Sequence, residues 1–207
     1  MTKPNKKSTE VALFNTGTDM AVKDYVSELE SVSSAELSGE QQYLKFTKRG
    51  EWVYGREAEE LFPDDVLALN PWSFVVGWQG WEDGRPIDGP VVPATKRSSL
   101  PPLSALDQIP PGEMNGWSEY KGVSLKLVDD EISLQYNTTS VGGKKLVAEL
   151  IRVSAAGMKA HPAHPIPLIK LGGSEYKHSM YGTVATPEYT LIGWADVNGK
   201  QNKRLKP

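Results

Sequence analysis

The chain contains no cysteine. That absence excludes disulfides, thiolate metal sites and cysteine nucleophiles together, and it suits a reducing compartment. Long apolar runs are also missing. A stretch such as residues 66–69 falls far short of the roughly 20 residues that a membrane-spanning helix needs. Lys3, Lys6 and Lys7 open the chain without an apolar segment behind them, so no secretory signal is read and the expected location is the cytoplasm of a host cell. An excess of positive charge is lacking too: 23 Lys and Arg face 26 Asp and Glu, a net charge of −3. A uniformly basic nucleic-acid binder is thereby excluded, but a local basic surface is not, because steering follows the local field.

The catalytic signatures are equally sparse. The run Thr139-Ser140-Val141-Gly142-Gly143-Lys144-Lys145 invites comparison with a phosphate loop but fails its pattern. Thr138 stands where the first glycine belongs, and Lys145 stands where a serine or threonine should follow the lysine. What survives is a glycine-rich approach to a helix start, with Lys144 and Lys145 beside it, where one phosphate could dock. No Gly-x-Ser-x-Gly occurs, so a nucleophile elbow is unsupported. His161 and His164 lie in His-Pro-Ala-His-Pro, and two histidines alone make a poor zinc site. The pairs Asp64-Asp65 and Asp129-Asp130 sit at apparent turns, where local hydrogen bonding explains them. No catalytic residue, metal or cofactor is assigned.

What the chain does offer is a hairpin with two different faces, in residues 43–54. Strand side chains alternate from face to face. A four-residue loop at 48–51 predicts Thr47 opposite Trp52, Phe46 opposite Val53 and Lys45 opposite Tyr54. Leu44, Phe46 and Val53 then form a core face. Tyr43, Lys45, Trp52 and Tyr54 form the other, with Lys48 and Arg49 at the tip. A sheet face of aromatics and cations suits single-stranded nucleic acid, whose bases stack on rings while its phosphates meet cations. The alternative is an ordinary hairpin whose second face is covered by another layer of the fold.

The rest of the chain reads mainly as strands. Residues 1–9 form a basic lead and residues 198–207 a basic tail, around one globular domain at 10–197. A short strand is predicted at 11–14 and a helix at 19–30. Residues 56–62 predict a helical turn ending before Pro63. Residues 72–81 alternate, with Phe74, Val76 and Trp78 on one face. Trp72 and Trp78 are expected in the core, and Trp81, beside Glu82 and Asp83, is expected to be exposed. Residues 82–85 signal a turn. Residues 95–112 carry Pro101, Pro102, Pro110 and Pro111 and read as an extended connection. Residues 123–136 alternate strictly, so that a two-residue turn at Asp129-Asp130 pairs Leu127 with Ile132 and Leu125 with Leu134. A helix follows from about Gly143, with an apolar stripe of Leu146, Val147, Leu150, Ile151 and Val153 and Gly157 as terminator. Short strands are predicted at 167–171, 181–185 and 189–194. About seven strands around one helix suit a mainly β (α+β) fold, a partly open OB-like antiparallel barrel with additions. A β-sandwich is the rival.

The closing run from His178 to Trp194 resembles the C-terminal signature of a group of phage- and prophage-encoded proteins. The Thr139-Ser140-Val141-Gly142-Gly143 approach and the Trp78-x-x-Trp81 segment resemble the same group, so the likeness spans roughly residues 70–195. It implies, by analogy, a replication-associated single-stranded DNA-binding protein with an OB-like core. One departure is the basic ending Lys203-Arg204-Leu205-Lys206-Pro207, where many such proteins carry an acidic partner-binding tail. The expected function is therefore non-enzymatic binding of single-stranded DNA in phage replication or recombination. Tyr43, Trp52, Tyr54 and Trp81 would stack bases, and Lys45, Lys48, Arg49, Lys126, Lys144 and Lys145 would meet phosphates. A host or phage replication protein and a second copy of the chain are further partners compatible with this reading, and a membrane is not. The rival classes are a protein–protein interaction module, such as a virion component or an inhibitor of a host defence enzyme, and a small nuclease.

Overall fold

The computed structural model describes residues 42–112, 115–180 and 182–201. The strand expected at 11–14, the helix expected at 19–30 and the basic lead lie outside the described residues, as does most of the basic tail. The centre of the sheet is the hairpin that strict alternation demands. Strands β7 (Gly116–Leu127) and β8 (Ser133–Thr138) place Leu125 opposite Leu134. The Leu127 N–H donates to the Ile132 carbonyl at 2.9 Å, as the sequence register requires. Only the turn differs. Glu131 adopts the left-handed region at φ 58, and the Val128 N–H is drawn to the Val66 carbonyl at 2.9 Å, so the loop spans four residues rather than two.

Strands then add on both edges of this hairpin. On the β8 side lie β1 (Gln42–Phe46), β2 (Trp52–Tyr54) and β3 (Glu59–Glu60). On the β7 side, β4 (Leu67–Leu69) and β5 (Val75–Glu82) run one after the other along the same long strand. Outside β5 lies β6 (Arg85–Pro93), and outside β4 lie β9 (Ile166–His178) and β10 (Gly182–Ala195). Among the described residues the result is one ten-stranded sheet, curled into an open half-barrel and accompanied by one main helix. That is the mainly β, OB-like expectation, with a single sheet rather than the two of a sandwich. The pairing of β1 with β8 is parallel, a departure from the antiparallel barrel.

The core fills the inside of the curl. Leu44, Leu67, Leu69, Val123, Leu134, Val147, Leu150 and Ile169 are fully buried there. Helix α1 (Val141–Ala160) contributes Val147 and Leu150, and the Ser140 hydroxyl caps it by accepting the Gly143 N–H at 3.1 Å. Gly157 does not end this helix, contrary to the sequence reading. It is buried mid-helix, and a Cβ there would overlap the Trp194 indole. The residue is glycine for close approach, and the helix runs to Ala160, stopping ahead of Pro162.

Other departures have similar causes. Residues 56–62 form a turn leading into β3, with Ala58 at φ 54, rather than a helical turn. Strand β6 is absent from the sequence reading because Pro86, Pro90 and Pro93 obscure it; as the outer partner of β5 it is an edge, where proline is tolerated. The two strands expected at 181–185 and 189–194 are one, since β10 passes through Pro187, opposite Gly173, on the other edge. Asp83 and Gly84, at φ 50 and 75, make the two-residue turn between β5 and β6.

The proline-rich connection folds back over β5 and β7 as a strap. The Trp78 indole N–H donates to the Pro101 carbonyl at 2.9 Å, and the Trp117 indole N–H to the Asp107 carbonyl at 2.8 Å. Trp78 is thus half-buried under the strap, whereas Trp72, expected in the core, is 55% exposed in the loop after β4.

Two substitutions check this packing by urea denaturation. Leu134→Ala should cost about 2–5 kcal/mol, the range for a fully buried leucine. Gly157→Ala should cost about 1–3 kcal/mol by overpacking against Trp194, whereas an exposed helix terminator would tolerate the same change.

Candidate nucleic-acid interface

The candidate hairpin forms, but one residue out of the expected register. Phe46 faces Trp52, Lys45 faces Val53 and Leu44 faces Tyr54. The loop is shorter than expected. The Thr47 N–H bonds the Glu51 carbonyl at 2.8 Å, leaving three residues, 48–50, with Gly50 at φ +86. A three-residue hairpin loop takes a left-handed residue at its last position, and Gly50 was the signal for it. One residue of slip transfers every side chain of a strand to the opposite face.

Trp52 and Tyr54 are therefore core residues, only 4% and 8% exposed, which corrects their assignment as stacking platforms. The Trp52 indole N–H donates to the Gly172 carbonyl at 2.8 Å. Its ring packs 5.0 Å from Phe46 and 5.1 Å from Tyr136 between centroids. Neither ring can reach a base in the folded protein.

The outer face keeps the other half of the prediction. Tyr43 is 55% exposed, and Lys45 is exposed beside it. Tyr43 pairs with Gln135, and Gln135 pairs with Ser124. Ser124 Oγ donates to Gln135 Oε1 at 2.7 Å, and Gln135 Nε2 donates to Asn137 Oδ1 at 2.8 Å. By the same alternation Lys126, Tyr120, Gln79 and Trp81 lie on this face. Trp81 is half-buried rather than exposed. Burial pushes the Tyr120 phenol above its ordinary value, with the neighbouring Tyr43 and Asp88 adding to the effect. Tyr120, Gln135 and Asn137 escaped the sequence reading because nothing in a single strand says which other strand lies alongside.

The cations divide. Lys45, Lys48, Arg49 and Lys145 are exposed and make no ion pair among the described residues. Lys126 lies 4.0 Å from Glu131. Lys144 is turned inward, 3.7 Å from Glu119 on the helix side of the sheet. The helix start beside it is already filled. Ser140 caps it, Thr138 and Tyr136 crowd Gly143, and Pro187 covers Gly142. The phosphate site expected there is thus occupied by the protein itself, and Lys144 does not join Tyr43.

The remaining candidates have structural settings. The His161 ring lies 5.8 Å from that of Trp194. Asp64 accepts a hydrogen bond from Lys170 Nζ at 2.7 Å, which holds its carboxyl below the usual range. Among the described residues no three His, Asp or Glu side chains converge as metal ligands, and no helix is long and apolar enough to cross a membrane. No protein-family model, curated protein or solved structure matches the chain.

Two expectations test these placements. Trp52→Ala should cost about 3–5 kcal/mol of stability, read from the urea midpoint; a loss under about 0.5 kcal/mol would match a surface residue. Burial also raises the Tyr136 and Tyr54 phenols above their ordinary value. Their unfolded forms ionise near pH 10. Stability from these groups is thus complete below about pH 10 and falls as pH rises toward the folded values. Tyr136→Phe should flatten that alkaline decline in urea titrations.

Proposed function

We propose that the protein binds single-stranded DNA on the outer face of its half-barrel. The observation that carries this reading is the exposed Tyr43 ring, flanked by the exposed Lys45 on a sheet face that also bears Tyr120, Trp81 and Lys126. Rings stack unpaired bases and cations meet phosphates. The hydrogen-bonded row of Ser124, Gln135 and Asn137 supplies polar edges between them. OB-type barrels use a strand face in this manner. A place in phage replication or recombination is suggested by the resemblance of the His178 to Trp194 run alone. The rings, amides and cations on this face suit binding, and binding without catalysis is the reading. The site is Tyr43, Lys45, Trp81, Tyr120 and Lys126.

A second reading, a protein–protein interaction module, is favoured by Phe62 and Trp72. They are 61% and 55% exposed in the loops flanking β4, and large exposed aromatics are typical anchors of protein interfaces.

Fluorescence anisotropy against single-stranded DNA, duplex DNA and RNA at two salt concentrations separates the readings. Single strands should bind better than duplex. Tyr43→Ala should lose about 1–3 kcal/mol, the worth of one stacked base. Lys45→Ala should reduce the log–log salt slope by about 0.7, one phosphate contact on a single strand. Trp72→Ala should change neither. Absence of binding at low salt by the folded protein would remove this reading and promote the second.

A further inference from the structure

Strands β9 and β10 continue past the body as a two-stranded arm. Residues 173–177 of β9 and Gly182 and Thr183 of β10 are exposed, and Met180 at the tip is 79% exposed. The root of the arm is seated on the β1–β2 hairpin. Trp52 holds the Gly172 carbonyl. A Cβ on Gly173 would lie 2.9 Å from the Phe46 ring, and a Cβ on Gly50 would lie 3.5 Å from that of Ala185. The hairpin tip carrying Lys48 and Arg49 is thereby brought against one face of the arm.

The register says which residues share that face. Ala185 pairs with Glu175, and Thr183 pairs with Lys177. Same-face positions along a strand are about 7 Å apart, so Lys177 lies one step beyond Ala185, on the side of the hairpin tip. Tyr176 and His178 take the opposite face, with their rings 6.3 Å apart. The charges bordering this contact are Lys48, Arg49 and Lys177, against Glu51 and Glu175. Glu51 is drawn back to the Thr47 hydroxyl at 3.5 Å, and neither Lys48, Arg49 nor Lys177 makes an ion pair among the described residues.

We infer that the hairpin tip and the β9–β10 arm form a second contact for the same ligand, a cationic rim that meets the sugar-phosphate backbone of a single strand leaving the outer face. The inference rests on the single-strand reading above. The rim residues favour a nucleic-acid backbone over a protein partner. The rim's exposed side chains are mostly charged, and the large ring at the contact, Phe46, is packed on Gly173 and the core, where it does not serve as an anchor of the kind a protein hot spot needs. The consequence is a length requirement: a strand must outreach the outer face before the arm contributes.

The test uses oligonucleotides of about 6 and about 20 nucleotides, within and beyond the span of a single OB-type site. For the longer strand, Lys177→Gln and Arg49→Gln should each weaken binding and lower the salt slope by about 0.7. Glu175→Gln should tighten it. Binding of the short strand should be unchanged by all three and weakened by Tyr43→Ala. Circular dichroism and urea midpoints equal to those of the parent protein establish folding of the variants. If Tyr43→Ala weakens both lengths while the rim variants affect neither, the second contact is refuted and the outer-face reading stands. Equal effects of the rim variants on both lengths would also overturn it, since the arm would then belong to the primary site. A folded parent protein that binds neither length removes both proposals together.

Discussion

The fold depends on the burial of Trp52 at the place where the two ends of the curled sheet meet. Trp52 lies on β2, near one end of the strand order, and Gly172 lies on β9, near the other. An indole N–H taken out of water requires an acceptor. Here the acceptor is a backbone carbonyl 120 residues away, at 2.8 Å. Adjacent Gly173 clears space for the Phe46 ring, so the two halves of the half-barrel close on each other without a continuous ladder of strand pairing. This one bond and the packing around it position the hairpin, the root of the arm and, through them, both proposed contacts.

Aromatic residues elsewhere follow the same logic. Trp78 and Trp117 donate to carbonyls of the proline-rich strap, and Trp194 seats itself on Gly157 of α1. Four of the six tryptophans therefore fasten one segment of the chain to another. A tryptophan-rich sequence suggests a binding surface, but an indole also suits the task of joining elements, with one broad apolar body and one directional donor. The ring that stays available beside cations is a tyrosine, Tyr43, on a strand whose alternate residue Leu44 is fully buried.

Much of the fold was legible from local pattern. The β7–β8 pairing follows from alternation, which puts Leu125, Leu127 and Leu134 on one face. The α1 stripe follows from helical spacing. Illegible elements were those whose reason is non-local. Gly157 reads as a terminator until Trp194 is seen above it. Pro187 reads as a break until β10 proves to be an edge. Residues 172–178 look like a loop because they lack apolar alternation, and they pair only because β10 lies alongside for their whole length. In the candidate site, Tyr43 and Lys45 share an exposed face as strand alternation predicts, whereas Trp52 and Tyr54 take the opposite one; that Trp81 and Lys126 lie on the face of Tyr43, and Lys144 away from it, was not legible, because it depends on which strands lie alongside.

The sequence by itself determined which stretches alternate, and so which could become strands. It also determined where the one long helix starts and the chemical character of each strand face. Only the tertiary structure decided which face of the β1–β2 hairpin was covered. Both faces carry aromatic rings, so side-chain chemistry leaves the choice nearly balanced, and a loop shorter by one residue inverts it. The covering residues come from β9 and β8, far along the chain. Their approach is a property of how the sheet curls, which no window of local sequence contains.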